Sequence, residues 1–300
     1  MTELEGVCPI VATPFTEDGA VDEASLRRLI ETLLGGGCHG VTLFGVAGEY
    51  YKLTDDEQRE MIELAAEITA GADAPLVVSV AENSIEAALA RARFAEAAGA
   101  DALMILPPAL LAPTTDDHYA HLAAIGEAVS IPLMVQYAPE TTGVSIDLSV
   151  FERLSREVET IRYFKIESRP PGGDISRLLD AAGDRIDVLV GYAGQQTLEA
   201  FDRGAVGVVP GSSMYDLYLA IYEGYQEGDR ERARDLHREL LPLLSHCRQT
   251  APMLVHYEKR ILHRRGIIDS PRCRSPAFDP DEHYDRVFEE HYERLEPYLE

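Results

Sequence analysis

Residues 133–166 read LMVQYAPETTGVSIDLSVFERLSREVETIRYFKI and contain one complete strand, helix, strand repeat. The apolar runs 133–137 and 163–166 predict buried strands, and the amphipathic stretch 148–156 between them predicts a helix. Two strands joined through a helix run parallel in one sheet. This segment therefore predicts a parallel α/β fold.

Short apolar runs of this kind recur along the chain, mostly followed by an amphipathic stretch, and there are eight of them. They are 6–13, 40–44, 76–80, 102–106, 133–137, 163–166, 188–190 and 206–209. Eight units favour a closed (β/α)₈ TIM barrel over an open doubly wound sheet, which usually has fewer strands and a GxGxxG turn. After residue 212 the pattern predicts only helices, so we expect a barrel over 1–212 and C-terminal helices over 213–300, packed as one structural unit.

The charge is strongly acidic, with 52 Asp and Glu against 27 Lys and Arg and a net charge of −25. Acidic residues are spread along the whole chain, which disfavours nucleic acid and anionic membranes and suits a halophilic host. No apolar run is long enough to cross a bilayer, and we expect a cytoplasmic protein. The four cysteines lack metal-ligand spacing, so we expect reduced thiols and no metal site.

Lys165 is the outstanding polar residue, because it interrupts an apolar strand and is one of only three lysines in the chain. Alternation along the strand puts Lys165 and Glu167 on one face, and Phe164 and Ile166 on the face toward the helices. A lysine desolvated inside a barrel keeps a usable fraction of uncharged amine, which can attack a carbonyl to form a Schiff base. The alternative is a structural lysine paired with a buried carboxylate such as Glu167.

Other polar or glycine-rich positions follow the ends of other predicted strands, where the active sites of barrels lie. Tyr137 ends strand five and could exchange protons beside Lys165. The turn after strand two, Gly45-Val46-Ala47-Gly48-Glu49, has glycines and free N–H groups suited to a carboxylate, although Glu49 could instead brace the loop. Gly191 closes strand seven. Gly211, after strand eight, begins either a phosphate-binding corner or a plain loop with a serine N-cap for the next helix.

These three motifs in register, GxxGE after strand two, tyrosine-x-proline at strand five and a lysine in strand six, resemble the dihydrodipicolinate synthase / N-acetylneuraminate lyase family of class I aldolases. The resemblance covers residues 6–276. It implies an imine between Lys165 and a pyruvate-like 2-keto acid, with no separate cofactor. It also implies proton relay by Tyr137, carboxylate binding by the backbone of Val46 and Ala47, a pocket lined by Gly191, and a homotetramer built as a dimer of dimers.

Departures from the family pattern bear on the substrate. Val46 and Ala47 stand where lysine-forming members carry two hydroxyl residues, and residues 140–142 lack the arginine that holds a second carboxylate. The segments 45–49, 106–108 and 165–167 are similar instead to 2-keto-3-deoxy-L-arabonate dehydratases or 2-keto-3-deoxygluconate aldolases. We therefore expect a lyase for a 2-keto-3-deoxy sugar acid, acting by dehydration or retro-aldol cleavage, with Glu167 as acid, base or ion-pair partner. The alternatives are an aldol condensation of the dihydrodipicolinate type and a non-catalytic 2-keto acid binding barrel.

Overall fold

A computed structural model describes residues 3–110 and 112–299 of the chain. In this part of the chain eight β-strands alternate with helices, which is the order of a (β/α)₈ barrel. The strands are β1 (Gly6–Val7), β2 (Val41–Leu43), β3 (Leu76–Val80), β4 (Ala102–Ile105), β5 (Leu133–Tyr137), β6 (Ile161–Ile166), β7 (Asp187–Val190) and β8 (Gly207–Val208).

Among the described residues, eight α-helices lie among or directly after the strands, and four more form the C-terminal part. The first set is α1 (Glu23–Gly35), α2 (Asp55–Ala72), α3 (Ile85–Ala98), α4 (Thr115–Ala128), α5 (Pro139–Thr142), α6 (Leu148–Glu157), α7 (Gly172–Ala182) and α8 (Thr197–Asp202). The C-terminal set is α9 (Tyr215–Gln226), α10 (Arg230–Cys247), α11 (Ala251–Arg264) and α12 (Glu282–Leu295).

Capping residues fix several helix starts where the sequence predicts them. The Thr54 hydroxyl accepts the Glu57 N–H, and the Glu57 carboxylate accepts the Thr54 N–H, which completes a capping box on α2. The Ser84 hydroxyl caps α3 by accepting the Ala87 N–H, and Gly99 ends that helix in the left-handed conformation. Side-chain caps thus satisfy N–H groups that the first turn of a helix leaves unpaired.

The described chain divides into two compact units. The first unit contains Pro75–Val209 together with the N-terminal residues up to Glu5. Its strands β3 to β8 pair in chain order, and all five pairings are parallel. Apart from Arg162 and Asp187, the residues of these strands are buried on both faces, as in parallel sheets covered by helices.

The second unit contains Gly6–Ala74 and Pro210–Glu300. Here the β1 segment runs parallel to β2 through a bridge between Ile10 and Thr42. The C-terminal helices α10, α11 and α12 pack on one another, and the ring of Tyr257 stacks on that of Phe288 with centroids 4.4 Å apart.

Two details of the secondary structure differ from the sequence prediction. The predicted first strand, 6–13, shortens to Gly6–Val7, because Pro9 has no N–H to donate to a neighbouring strand. The short helix α5 was not predicted, since four residues that begin with proline carry no helical periodicity. No helix among the described residues is long and apolar enough to span a membrane.

Candidate active site

Lys165 is buried near the carboxyl end of β6, where its Cα pairs with Gln136 on β5 and Leu189 on β7. Its neighbour Phe164 packs on Phe151 of α6, with ring centroids 5.4 Å apart. Because successive side chains of a strand point to opposite faces, Lys165 points away from the helix that covers Phe164.

The Glu167 carboxylate is the immediate partner of Lys165. Lys165 Nζ lies 3.0 Å from Glu167 Oε1, and both side chains are less than a tenth exposed. Glu167 Oε1 also accepts the Tyr192 N–H at 3.2 Å, while Oε2 accepts the Gln136 side-chain amide at 3.3 Å. A buried ion pair with these further hydrogen bonds holds the carboxylate in one position. The carboxylate can also take the proton of the amine that it contacts.

Gly191 has no side chain, and the Glu167 carboxylate occupies the space that a Cβ atom would fill. A Cβ atom built on Gly191 would lie 2.1 Å from Glu167 Oε1, far inside contact distance. Gly191 also donates its N–H to the Ile166 carbonyl at 3.2 Å, which fixes the start of the loop after β7 against β6. Glycine is therefore required here by close approach rather than by its backbone conformation.

Tyr137, the predicted proton relay, follows Gln136 on β5 and so lies on the opposite face of the strand from the residue that pairs with Lys165. It pairs with Ile166, one register position beyond Lys165, and its ring packs edge-on against Phe151 with centroids 5.3 Å apart. Burial raises the pKa of the Tyr137 hydroxyl, which hydrogen-bonds to Ser145 and the Ile146 backbone. The physical reason is the period of two in a strand, since an offset of one residue moves a side chain to the other face.

Gln136 takes the position predicted for Tyr137, beside Lys165. It is buried, lies in register with Lys165 and donates to Glu167. The signal was present in the sequence, because the strand alternation that pointed Lys165 inward would also have pointed Gln136 inward once the two strands were aligned.

Tyr192 and Arg169 extend the hydrogen-bond network and were not predicted. Tyr192 follows Gly191 with a positive φ of 56°, a conformation that is uncommon for a tyrosine. Arg169 Nη1 donates to the Tyr192 hydroxyl at 2.6 Å, and the guanidinium lies 4.6 Å from the ring centroid. The loops after β6 and β7 are thereby joined at the carboxyl ends of their strands.

The glycine turn lies in the second unit and forms a short 3₁₀ turn, Val46–Gly48. A Cβ on Gly48 would lie 2.9 Å from the Val11 carbonyl, and Thr13 donates to the Gly48 carbonyl at 2.6 Å. Among the described residues the N–H groups of Val46 and Ala47 have no hydrogen-bond acceptor. Two adjacent free N–H groups can bind an anion.

The Glu49 side chain braces the structure behind this turn. Its carboxylate is completely buried, and the side chains of Lys52 and Lys259 both form ion pairs with it. The role of Lys259 was not predicted, because the residue is far away in sequence on α11. Glu49 itself has a left-handed backbone, with a φ of 55°.

Gly211 lies in the second unit beside Glu258. A Cβ on Gly211 would lie 2.3 Å from Glu258 Oε1, and Glu258 Oε2 accepts the Ser213 N–H at 3.0 Å. A carboxylate that already occupies this N–H disfavours phosphate binding. The serine N-cap is also wrong, because α9 has Met214 at its N-cap and no side-chain cap.

No group of three or more His, Cys, Asp or Glu side chains in the described residues could hold a metal ion.

A model of the dihydrodipicolinate synthetase family matches residues 3–294. The chain belongs to this family. It is therefore a lyase of the class I aldolase type.

Similar proteins within the family carry two different names. A 4-hydroxy-tetrahydrodipicolinate synthase of Methanopyrus kandleri is 33% identical over 247 residues, which cover 80% of each chain. An L-2-keto-3-deoxyarabonate dehydratase of Azospirillum brasilense is 29% identical over 284 residues, 93% of this chain and 90% of the relative.

A solved structure confirms the fold. The 4-hydroxy-tetrahydrodipicolinate synthase from Methylacidiphilum fumariolicum SolV matches with a TM-score of 0.90 at 25% identity, covering 99% of this chain and 97% of that one. The predicted (β/α)₈ TIM barrel with a C-terminal helical extension is thus confirmed.

Proposed function

We propose that this family member captures a 2-keto-3-deoxy sugar acid as an imine on Lys165 and dehydrates it. The observation that carries the proposal is the buried contact between Lys165 Nζ and Glu167 Oε1, at 3.0 Å. An amine and a carboxylate in contact supply the nucleophile and the proton acceptor that imine formation requires. No separate cofactor takes part in this reaction.

The reaction can be followed atom by atom. Lys165 passes a proton to Glu167 and attacks the C2 carbonyl, and Glu167 returns that proton to the carbinolamine hydroxyl, which leaves as water to give the imine. The imine withdraws electrons from C3, so Glu167, again a carboxylate, removes a C3 proton and delivers it to the C4 hydroxyl, which leaves as water. Tautomerisation and hydrolysis of the imine then free Lys165 and release a dehydrated keto acid.

Retro-aldol cleavage to pyruvate is the second candidate, and Gln136 weighs against it. Cleavage needs a base on the C4 hydroxyl, which the family resemblance assigns to a tyrosine, but Tyr137 packs against α6. Gln136, which pairs with Lys165, has an amide that does not titrate. Glu167 remains as the acid and base, and elimination of water requires no more than one such group. The similarity to the Azospirillum brasilense dehydratase supports the same choice.

Aldol condensation of the dihydrodipicolinate type is disfavoured despite the similarity to the Methanopyrus kandleri synthase. By the family resemblance, that reaction uses a pair of hydroxyl residues where this chain has Val46 and Ala47, and an arginine that residues 140–142 lack. We propose instead that the backbone of Val46 and Ala47 binds the substrate carboxylate, that Gly48 and Glu49 shape the turn, and that Gly191 and Gly211 contribute to substrate binding.

Trapping the imine tests the function. Borohydride reduction in the presence of pyruvate should give a stable adduct that mass spectrometry locates on Lys165, and Lys165→Ala should abolish both adduct and turnover. Lys52, whose side chain is also ion-paired, serves as the internal control and should stay unmodified. An unmodified Lys165 would favour a non-catalytic binding barrel.

A substrate panel then separates the reactions. We expect 2-keto-3-deoxy pentonates and hexonates to yield dehydrated keto acids and no pyruvate, whereas pyruvate as the product would establish cleavage.

We further propose that the protein acts in the cytoplasm as a homotetramer, on a small-molecule substrate, without nucleic acid or membrane partners. The dispersed acidic charge supports a halophilic host.

A further inference from the structure

Two of the three lysines in the chain converge on one carboxylate directly after the glycine turn. Lys52 Nζ lies 2.7 Å from Glu49 Oε2, and Lys259 Nζ forms an ion pair with Glu49 Oε1. The side chains of Glu49 and Lys259 are completely buried, and that of Lys52 is 8% exposed. We call these three residues the Glu49 cluster.

Further contacts fix the cluster to the C-terminal part of the chain. Lys259 on α11 donates to the Arg272 carbonyl at 2.9 Å and lies 4.1 Å from the centroid of the Phe15 ring. Lys52 donates to the Arg274 carbonyl at 2.6 Å. Each ammonium group is therefore held by a carboxylate on one side and a backbone carbonyl on the other.

With both amines protonated the cluster carries one positive charge, because two ammonium groups surround one carboxylate. Burial lowers the pKa of Lys259, and the Glu49 carboxylate opposes that shift. Neighbouring groups leave this balance unchanged. Arg274 forms its own ion pair with Glu57, and burial raises the pKa of Cys273 to about 11, which keeps that thiol uncharged near neutral pH. Without the lysines, Glu49 would place a buried negative charge one residue beyond the turn.

We infer that Lys259 and Lys52 are positioning residues that make the Val46–Gly48 turn able to bind the substrate carboxylate. They hold Glu49 in its left-handed conformation and reverse the sign of the charge behind the turn. An anion is then attracted to the free N–H groups of Val46 and Ala47 rather than repelled. This inference rests on the proposed function, since it requires a 2-keto acid as the ligand.

The inference predicts a weaker affinity for pyruvate in the lysine variants and no change in imine formation on Lys165. Lys259→Met removes one charge and leaves the cluster neutral, so the pyruvate concentration for half-maximal borohydride trapping should rise roughly tenfold. The extent of trapping on Lys165 at saturating pyruvate should stay the same. Lys52→Met should give a similar rise, and it keeps the test open if the fully buried Lys259 cannot be replaced without unfolding.

Pyruvamide distinguishes a charge role of Lys52 and Lys259 from a purely structural role. It has the same ketone as pyruvate but no carboxylate, so both lysine variants should trap it with the half-saturation of the wild type. The double variant Lys259→Met with Glu49→Gln regains one positive charge on Lys52, and it should recover most of the pyruvate affinity.

Three outcomes are distinguishable. Equal losses for pyruvate and pyruvamide in the variants, or no recovery in the double variant, would overturn the charge role of the cluster. Unchanged half-saturation for pyruvate in both lysine variants would overturn the inference altogether. No Lys165 adduct in the wild-type protein would instead overturn the proposed function.

Discussion

At the scale of single residues, the space for the Glu167 carboxylate depends on the missing side chain of Gly191. Gly191→Ala would place a methyl group 2.1 Å from Glu167 Oε1, so the carboxylate must move away from Lys165. A displacement of this order at a catalytic group costs about 10²-fold in rate, and we expect kcat/KM to fall by about that factor. Steady-state kinetics measure the loss.

The matched control for that variant is Gly173→Ala on α7, where a Cβ would meet no atom within 4 Å. It should leave kcat/KM unchanged. If Gly191→Ala behaves like this control, the contact between Gly191 and Glu167 has no part in turnover.

Substitutions at Gln136 and Tyr137 should differ in their effects on kcat and stability. Gln136→Leu removes the amide that donates to Glu167 at 3.3 Å, and we expect kcat to fall by roughly tenfold, which is the value of one hydrogen bond to a charged group. Tyr137→Phe keeps the ring against Phe151, so it should change kcat by less than about threefold while lowering stability by about 1 kcal/mol. A Tyr137→Phe variant that lost more activity than Gln136→Leu would restore the tyrosine as the proton relay.

Lys165, Glu167 and Gln136 show what the sequence could and could not predict about the site. Lys165 and Glu167 were identified together because Lys165 stands on β6 and Glu167 directly follows that strand, so alternation along one short segment relates them. Gln136 was missed because its relation to Lys165 depends on the register between β5 and β6, which includes a shift between Leu133 and Met134. Register between strands is a tertiary property, and a one-residue error exchanges the two faces.

At the scale of secondary-structure elements, local signals predicted the boundaries well. The bounds of β3 and β5 agree with the predicted runs, and the capping box of α2 begins the helix at the predicted threonine. Contacts distant in sequence were not predictable, and the pairing of Lys259 on α11 with Glu49 is the clearest case. Neither residue carries a local pattern that names the other.

The start of α2 gives a pH-dependent prediction. Hydrogen bonds from Arg274 and the Thr54 backbone, against the opposing cost of burial, lower the pKa of Glu57 from 4.5 to about 2. A carboxyl whose pKa is lowered by folding stabilises the protein above its unfolded pKa and loses that effect as the pH falls through the folded pKa. Glu57→Gln should therefore lower Tm above about pH 4.5, and the difference from wild type should disappear toward pH 2.

Thermal unfolding followed by circular dichroism at several pH values measures that difference. Glu60→Gln is the control, because Glu60 is exposed on the same helix and makes no ion pair among the described residues. A Glu57→Gln effect that stayed constant down to pH 2 would mean that the ion pair with Arg274 does not stabilise α2.

At the scale of the whole molecule, the net charge of −25 predicts a dependence of stability on salt. Like charges spread over the surface destabilise the compact state by mutual repulsion. The screening length falls from about 10 Å at 0.1 M salt to about 3 Å at 1 M, so most of the repulsion is removed within that range. We expect Tm to rise steeply with KCl up to about 1 M and more slowly beyond it.

Removing charge should imitate the addition of salt. Glu63, Glu159 and Glu293 are exposed and make no ion pair or hydrogen bond through their side chains among the described residues. The triple variant with glutamine at these positions should unfold at a higher temperature than wild type in 0.1 M KCl, and the gap should close by about 1 M. Salt can also stabilise proteins because it is excluded from their surface, but exclusion acts on both proteins alike. If the Tm difference between the variant and wild type persisted in concentrated KCl, or if the Tm of wild type did not rise with salt, repulsion among the acidic residues would not be what lowers the stability of the protein.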